Sequence, residues 1–262
     1  MAGAFARAAI VTGAAGGIGA ATTRRLIAAG FRVFMVDVAG ERLRDLAGQL
    51  RGEGGAMEAY EADATVAAQV EDAVARARVA FGRIDALVNV AGGSGPGKMR
   101  DIEEIDDALW REVLDLNLTS AFLFSRAVMP AMRAQRYGRI VNFSSIVARG
   151  RKGPVTTAGV RLAYATAKAA IEGFTAQLAK DVAGEGITVN CLLPALILAE
   201  QGSRIRQRFE NLDPTLRAAM LAELPAGRPG DADEVAAAVA FLVSEEASYV
   251  NGVALPIDGA FL

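Results

Sequence analysis

The chain has 262 residues, 52% of them hydrophobic and 22% charged, with a net charge of −2 at neutral pH. That balance excludes a disordered chain and supplies no global basic field to hold nucleic acid. Histidine is absent, which removes Ser-His-Asp and Cys-His nucleophile systems and His-based metal sites. The lone cysteine, Cys191, removes disulfides within the chain and Cys-rich zinc sites. Acid–base chemistry therefore falls to Tyr, Lys, Asp, Glu or a perturbed Ser. Four lysines (Lys98, Lys152, Lys168 and Lys180) stand against 24 arginines, so each lysine is worth following, although genomic base composition produces the same ratio. No signal-peptide pattern opens the chain and no apolar run reaches about 18 residues. The expectation is a cytoplasmic protein with neither membrane nor nucleic acid as partner.

Ala8–Thr12 reads as an apolar strand, followed by a helix over 17–30 that ends at a glycine. Arg32–Asp37 is a second strand, with a helix from about Glu41. A weaker third strand covers 56–63, and 66–81 has helical spacing. A fourth strand, 84–90, leads through a Gly-rich loop into a long helical stretch at about 107–135. The fifth strand is 139–144, followed by a helix over 162–183, a sixth strand over 188–193, a helix over 231–244 and a seventh strand over 253–257. This alternation argues for βαβ crossovers and a parallel α/β sheet with helices on both faces, and the nearly continuous apolar strands suit burial on both sides. Without a composition break, 1–262 reads as a single domain. A charged stretch at about 196–225 reads as a lid over the sheet.

Gly13-Ala14-Ala15-Gly16-Gly17-Ile18-Gly19 joins the first strand to the first helix. Glycine lets the backbone turn sharply and approach a pyrophosphate at the helix N-terminus. The loop is neither the plain G-x-G-x-x-G fingerprint nor a P-loop, since no Lys-Ser/Thr pair follows. Asp37 closes the second strand, where an acid accepts hydrogen bonds from adenosine ribose hydroxyls and repels a 2′-phosphate. The plainer alternative is that it caps the next helix. No Arg or Lys stands beside it, although Arg42 is a turn away. Tyr164 and Lys168 are four residues apart on a predicted helix and so share a face. A phenol titrates near 10, and a fixed ammonium beside it favours the phenolate; bringing its pKa down to about 7 takes roughly 4 kcal/mol. Taken alone the pair is uninformative, because Tyr and Lys meet at this spacing on many solvated helices.

Other motifs accompany it: Asn89-Val90-Ala91-Gly92 after the fourth strand, Ser144-Ser145 after the fifth, then Gly227-Arg228-Pro229-Gly230, Ser248-Tyr249-Val250-Asn251-Gly252 and Asp258-Gly259. In this order, over essentially the whole chain, the sequence resembles the short-chain dehydrogenase/reductase family of ketoreductase or alcohol dehydrogenase type. The resemblance implies a Rossmann fold with seven parallel strands, NAD as cofactor across the C-terminal strand ends, and hydride transfer to or from a small-molecule ketone or secondary alcohol. It implies Tyr164 as general acid in reduction and base in oxidation. Lys168 would hold the nicotinamide ribose and depress the Tyr164 pKa. Ser145 would hydrogen-bond the reacting oxygen, with Ser144 as the neighbouring alternative, and Asn117 would complete a proton relay through water. Gly13, Gly16, Ile18, Gly19, Asn89 and Ala91 would line the cofactor groove, with Asp63 and Ala64 over the adenine and Pro194 and Ile197 by the nicotinamide. No metal is implied, and the assembly would be a homotetramer or homodimer.

The sequence departs from the family pattern at Val90, at Ala195 after Pro194, and at Ala199, where a Thr commonly binds the carboxamide. Ser145 and Tyr164 are also further apart than usual. Alternatives are a same-fold enoyl reductase, epimerase or lyase, or a non-catalytic NAD-binding module. The three-residue gap between Tyr164 and Lys168 argues against the enoyl type, and a binding module needs no Ser145, Tyr164 and Lys168 together. An S-adenosylmethionine methyltransferase would leave the Tyr/Lys pair unexplained. Arg149, Arg151, Lys152 and Arg161, together with Arg204, Arg206 and Arg208 on the lid, suggest a substrate with a carboxylate or phosphate. The plainer reading is that they are solvated or pair with a neighbouring subunit.

Overall fold

The computed structural model describes residues 6–95, 101–150, 161–200 and 203–262, with Arg204 described by its backbone alone. The chain alternates β1 (Ala8–Thr12), α1 (Gly17–Ala28), β2 (Arg32–Asp37), α2 (Gly40–Gly52), β3 (Met57–Glu61), α3 (Ala67–Phe81) and β4 (Ala86–Asn89). It continues through α4 (Asp107–Leu114), α5 (Ser120–Gln135), β5 (Gly138–Phe143), α6 (Arg161–Val182) and β6 (Ile187–Pro194). After β7 (Ile197–Leu198) come α7 (Arg204–Glu210), α8 (Pro214–Ala222), β8 (Gly230–Asp231), α9 (Ala232–Leu242) and β9 (Ala254–Ile257). The main sheet has seven strands in the order β3-β2-β1-β4-β5-β6-β9, all parallel.

Side chains alternate across each strand, so β1 sends Ala9 and Val11 to one face, among Leu26 of α1 and Val235 of α9. Ile10 points to the other face, among Val74 of α3 and Phe124 of α5. Covering both faces explains why β1 and β6 are buried along their whole length. The order reverses between β1 and β4, so the chain leaves these neighbouring strands for opposite faces and opens a crevice at their C-terminal ends.

Two features differ from the sequence expectation. The helix expected over 107–135 widens into a π turn at Asp115–Thr119 between α4 and α5. A second, two-stranded sheet pairs β7 with β8, and strands of two residues carry no periodicity by which to be read. This small sheet brings the two ends of the expected lid together: Ile197 lies opposite Gly230 and Leu198 opposite Asp231. Between them, α8 is capped by Asp213, whose carboxylate accepts from the Thr215 and Leu216 N–H groups, and buries none of its residues.

The turn from β1 into α1 depends on two different properties of glycine. A Cβ on Gly19 would overlap the Gly13 carbonyl, whereas Gly17 is open on its Cβ side but has φ +60°. Gly17→Ala is expected to cost about 1–2 kcal/mol of left-handed strain. Gly19→Ala should cost more, at least the roughly 1–3 kcal/mol of an overpacked site, because the atom it meets is backbone. Urea denaturation of the two variants checks that order; equal losses would contradict it.

Candidate active site

The crevice is walled by the glycine turn after β1, the loop after β4, the end of β5 and the N-terminal half of α6. The first two are locked together, since the Ala91 N–H donates to Thr12 Oγ1 at 3.1 Å. A Cβ on Gly13 would come within 2.9 Å of Ala91 N, so the approach requires glycine. Behind this seam, Asn89 Nδ2 donates to Asn142 Oδ1 at 2.9 Å, and Asn142 Nδ2 donates to Thr175 Oγ1 at 3.0 Å. Asn89 is thus a buried link across β4, β5 and α6, and its Oδ1 has no partner among the described residues.

At the end of β2, both oxygens of Asp37 take backbone bonds. Oδ2 accepts from Ala15 N and Oδ1 from Ala39 N, each at 2.9 Å. The carboxylate therefore ties the glycine turn to the start of α2, and each oxygen keeps a second lone pair for a ligand. Asp63 accepts from the backbone and hydroxyl of Thr65 and leads into buried Ala64. Gly16 and the half-buried Ile18 open α1. Buried Pro194 and Ile197 flank the step from β6 into β7.

The two serines after β5 separate clearly. Ser144 is buried, and its hydroxyl is spent on Lys168 O at 2.8 Å and Glu172 Oε1 at 3.1 Å. Ser145 is half-buried at the start of a 3-10 turn, Ile146–Arg149; its hydroxyl donates to Pro194 O at 3.5 Å, accepts from Val147 N at 3.4 Å, and lies close enough to the Tyr164 phenol to lower its pKa. Only Ser145 faces the phenol. Helix α6 carries Tyr164 and Lys168 on one face, with the Lys168 ammonium 5.5 Å from the Tyr164 ring centre. Lys168 is 4% exposed and donates to Phe143 O at 2.8 Å.

The π turn places Asn117, 1% exposed, against the loop after β4. Its Nδ2 donates to Gly93 O and Val113 O, both at 2.8 Å, while Gly93 N donates to its Oδ1 at 3.1 Å. A Cβ on Gly92 would lie 2.7 Å from Asn117 Oδ1 and 3.2 Å from Lys168 Nζ. Gly92 is thus the residue over which Asn117 and Lys168 converge, a role that its place in the Asn89–Gly92 motif signalled only weakly. Two further charged groups reach the glycine turn unexpectedly. Gly17 N donates to Glu200 Oε1 at 3.1 Å, and a Cβ on Gly16 would lie 2.5 Å from Arg42 Nη2.

Titration differs from the sequence expectation. Burial pushes the Tyr164 phenol above its ordinary value, opposed by the neighbouring Ser145 hydroxyl. The nearby ammonium does not bring it down, because Lys168 is itself desolvated and held down to about 8. Burial likewise pushes Cys191 up to about 12, so this thiol beneath the site is inert near neutral pH.

Among the described residues, the basic side chains are not gathered into one wall. Arg151 and Lys152 lie outside the described residues, as does the Arg204 side chain. Arg149 and Arg208 are both exposed. Arg206 is turned back onto its own segment, with Nε donating to Ala199 O at 2.6 Å and Nη1 3.8 Å from Glu210. Arg161 opens α6. Among the described residues no cluster of side chains could hold a metal ion, and no helix is long and apolar enough to cross a membrane.

The glycine cradle suits a dinucleotide phosphate: the space beside Gly17 is open, and its N–H already receives an oxyanion. Known proteins agree with this architecture. A family model described as Enoyl-(Acyl carrier protein) reductase matches residues 13–261. The chain is 38% identical to the short-chain reductase protein NovJ of Streptomyces niveus, over 96% of this chain and 92% of that protein. It is 36% identical to the 3-oxoacyl-acyl-carrier-protein reductase FabG of Salmonella typhimurium, over 96% and 95%. NAD+-bound xylitol dehydrogenase superposes with a TM-score of 0.86 at 33% identity, covering 97% of this chain and 98% of that one.

Lys168 links site and stability. Its pKa of about 8 lies below the unfolded value of 10.5, so from pH 8 to 10.5 the unfolded chain binds more protons and stability rises with pH. Below that window the buried ammonium costs about 3 kcal/mol. Lys168→Met is expected to raise the melting temperature at pH 7 while abolishing turnover, and its advantage over wild type should shrink as pH rises through 8–10.5. Calorimetry across that range checks both; a variant less stable than wild type at pH 7 would contradict the buried charge. The polar seam, the Ser145–Tyr164–Lys168 grouping and the whole-length matches together make this chain an oxidoreductase of the short-chain dehydrogenase/reductase family, which takes a nicotinamide cofactor and moves hydride on an alcohol or ketone.

Proposed function

We propose that the chain is an NAD(H)-dependent reductase or dehydrogenase of a small ketone and its secondary alcohol, with Tyr164 as the proton donor in reduction and acceptor in oxidation. The neighbouring Ser145 and Tyr164 hydroxyls carry this reading, because their proximity lets one ketone oxygen meet both. A ketone oxygen held there takes a hydrogen bond from Ser145 and the proton from Tyr164. The bound nicotinamide supplies or accepts the hydride. The phenol is protonated at neutral pH, as the donor role requires. Lys168, anchored on Phe143 O, is placed for a ribose hydroxyl. Asn117, fixed on Gly93, orders the loop that closes the crevice.

Ketone rather than enoyl reduction is favoured by the Tyr164–Lys168 spacing and by the ketone reductase among the similar proteins. The test is depletion of NADH against a panel of ketones. Tyr164→Phe should lower kcat by at least about 1,000-fold, a loss within the span of general acid catalysis, with NADH affinity within about twofold of wild type. Retention of a tenth or more of wild-type turnover would overturn the assignment.

Cofactor choice rests on Asp37. Fixed by two backbone donors, its carboxylate cannot swing away from a 2′-phosphate, so NADH is expected to exceed NADPH in kcat/KM. Asp37→Ser should narrow that ratio by at least tenfold, about 1.4 kcal/mol. A wild type that uses NADPH as well as NADH would refute the role of Asp37.

A further inference from the structure

The glycine turn of this chain already holds an anion, and that anion comes from the lid. Glu200 follows β7 closely, and its Oε1 accepts from Gly17 N at the first turn of α1, a helix of 12 residues. The same oxygen lies 3.5 Å from a Cβ built on Gly16, a point also reached at 2.5 Å by Arg42 Nη2. The helix N-terminus, the open glycine surface and a guanidinium thus converge on one carboxylate. Helix end and guanidinium both favour negative charge there, and the bare glycine lets it approach.

Glu200 is also where the lid is fastened. Ser203 N donates to its carbonyl at 3.1 Å, and Arg206 of α7 donates to the preceding Ala199 carbonyl. Gln207 N bonds Ser203 O, which carries the connection into α7. A displacement of the Glu200 side chain therefore reaches the lid through a short run of hydrogen bonds.

We propose that Glu200 is an internal occupant of the cofactor's phosphate seat. A dinucleotide phosphate takes the Gly17 N–H from the Glu200 carboxylate and gains Arg42 as counter-charge, which releases the root of the lid. Two anions cannot share one N–H donor, so entry of the cofactor and detachment of Glu200 are a single exchange. Glu200 then limits cofactor affinity, Arg42 raises it, and the lid is held down in the cofactor-free protein. The inference rests on the reading that this turn binds a nicotinamide dinucleotide.

Calorimetric titration of wild type, Glu200→Gln and Arg42→Ala with NADH, ADP and adenosine tests it. Glu200→Gln keeps an acceptor but loses the charge, and should bind NADH and ADP about 3- to 10-fold more tightly, with adenosine unchanged because it carries no phosphate. Arg42→Ala should weaken NADH and ADP by a similar factor. Without cofactor, Glu200→Gln should be cut by trypsin in the lid at least about threefold faster than wild type. Unchanged or weaker NADH binding by Glu200→Gln overturns the proposal, and so does equal tightening of adenosine. Wild type that binds NADH but yields an unchanged Glu200→Gln rejects the exchange alone, whereas wild type that binds neither NADH nor NADPH rejects the cofactor reading as well.

Discussion

The hydrogen bond from Ala91 N to Thr12 Oγ1 closes the seam between β1 and β4, and the site is organised around that seam. The chain leaves these two strands for opposite faces of the sheet, so their ends would otherwise splay. The absence of a Cβ on Gly13 lets the two backbones meet. With the seam closed, the glycine turn presents the N-terminus of α1 on one side. The loop after β4 presents Gly92 on the other, where Asn117 and Lys168 can approach. The buried Asn89–Asn142–Thr175 chain ties β4 to β5 and α6 from beneath. Polar groups in that position are costly if unpaired, so they favour a single register of β4 against β5.

Lys168 shows what this arrangement costs. An ammonium at 4% exposure receives one carbonyl, Phe143 O, and among the described residues forms no ion pair. Burial therefore dominates and pulls its pKa down, while the same dryness raises that of Tyr164. The ammonium thus gives up its proton more readily than in water, and the phenol holds its own more firmly.

Charge at the glycine turn is similarly divided. Asp37 approaches from β2, Arg42 from α2 and Glu200 from the segment after β7, three places on which no local pattern marks a common destination. Arg42 follows Asp37 by five residues, yet its guanidinium reaches over Gly16 and not to the strand end. Adjacency in the chain was thus a poor guide to which charge faces which part of a ligand.

Local chemistry in the sequence determined the elements, their order and the shared helix face of Tyr164 and Lys168, and the family resemblance joined Ser145 to them. Apolar runs bounded by glycine report strands, and a four-residue spacing on a helix is enough to align two side chains. Tertiary structure decided what depends on burial and on long-range approach. It separated Ser145 from Ser144, because the strand end turns one hydroxyl toward Glu172 and the other toward the phenol. It widened the long helix into a π turn at Asn117, and it set the Tyr164 pKa above its ordinary value where the motif suggested a lower one. Glu200 reaches Gly17 across 183 positions of sequence. Such a contact arises only in the folded chain, where Glu200, two residues past β7, lies beside the first turn of α1, since a side chain's partners follow from where the folded backbone carries it.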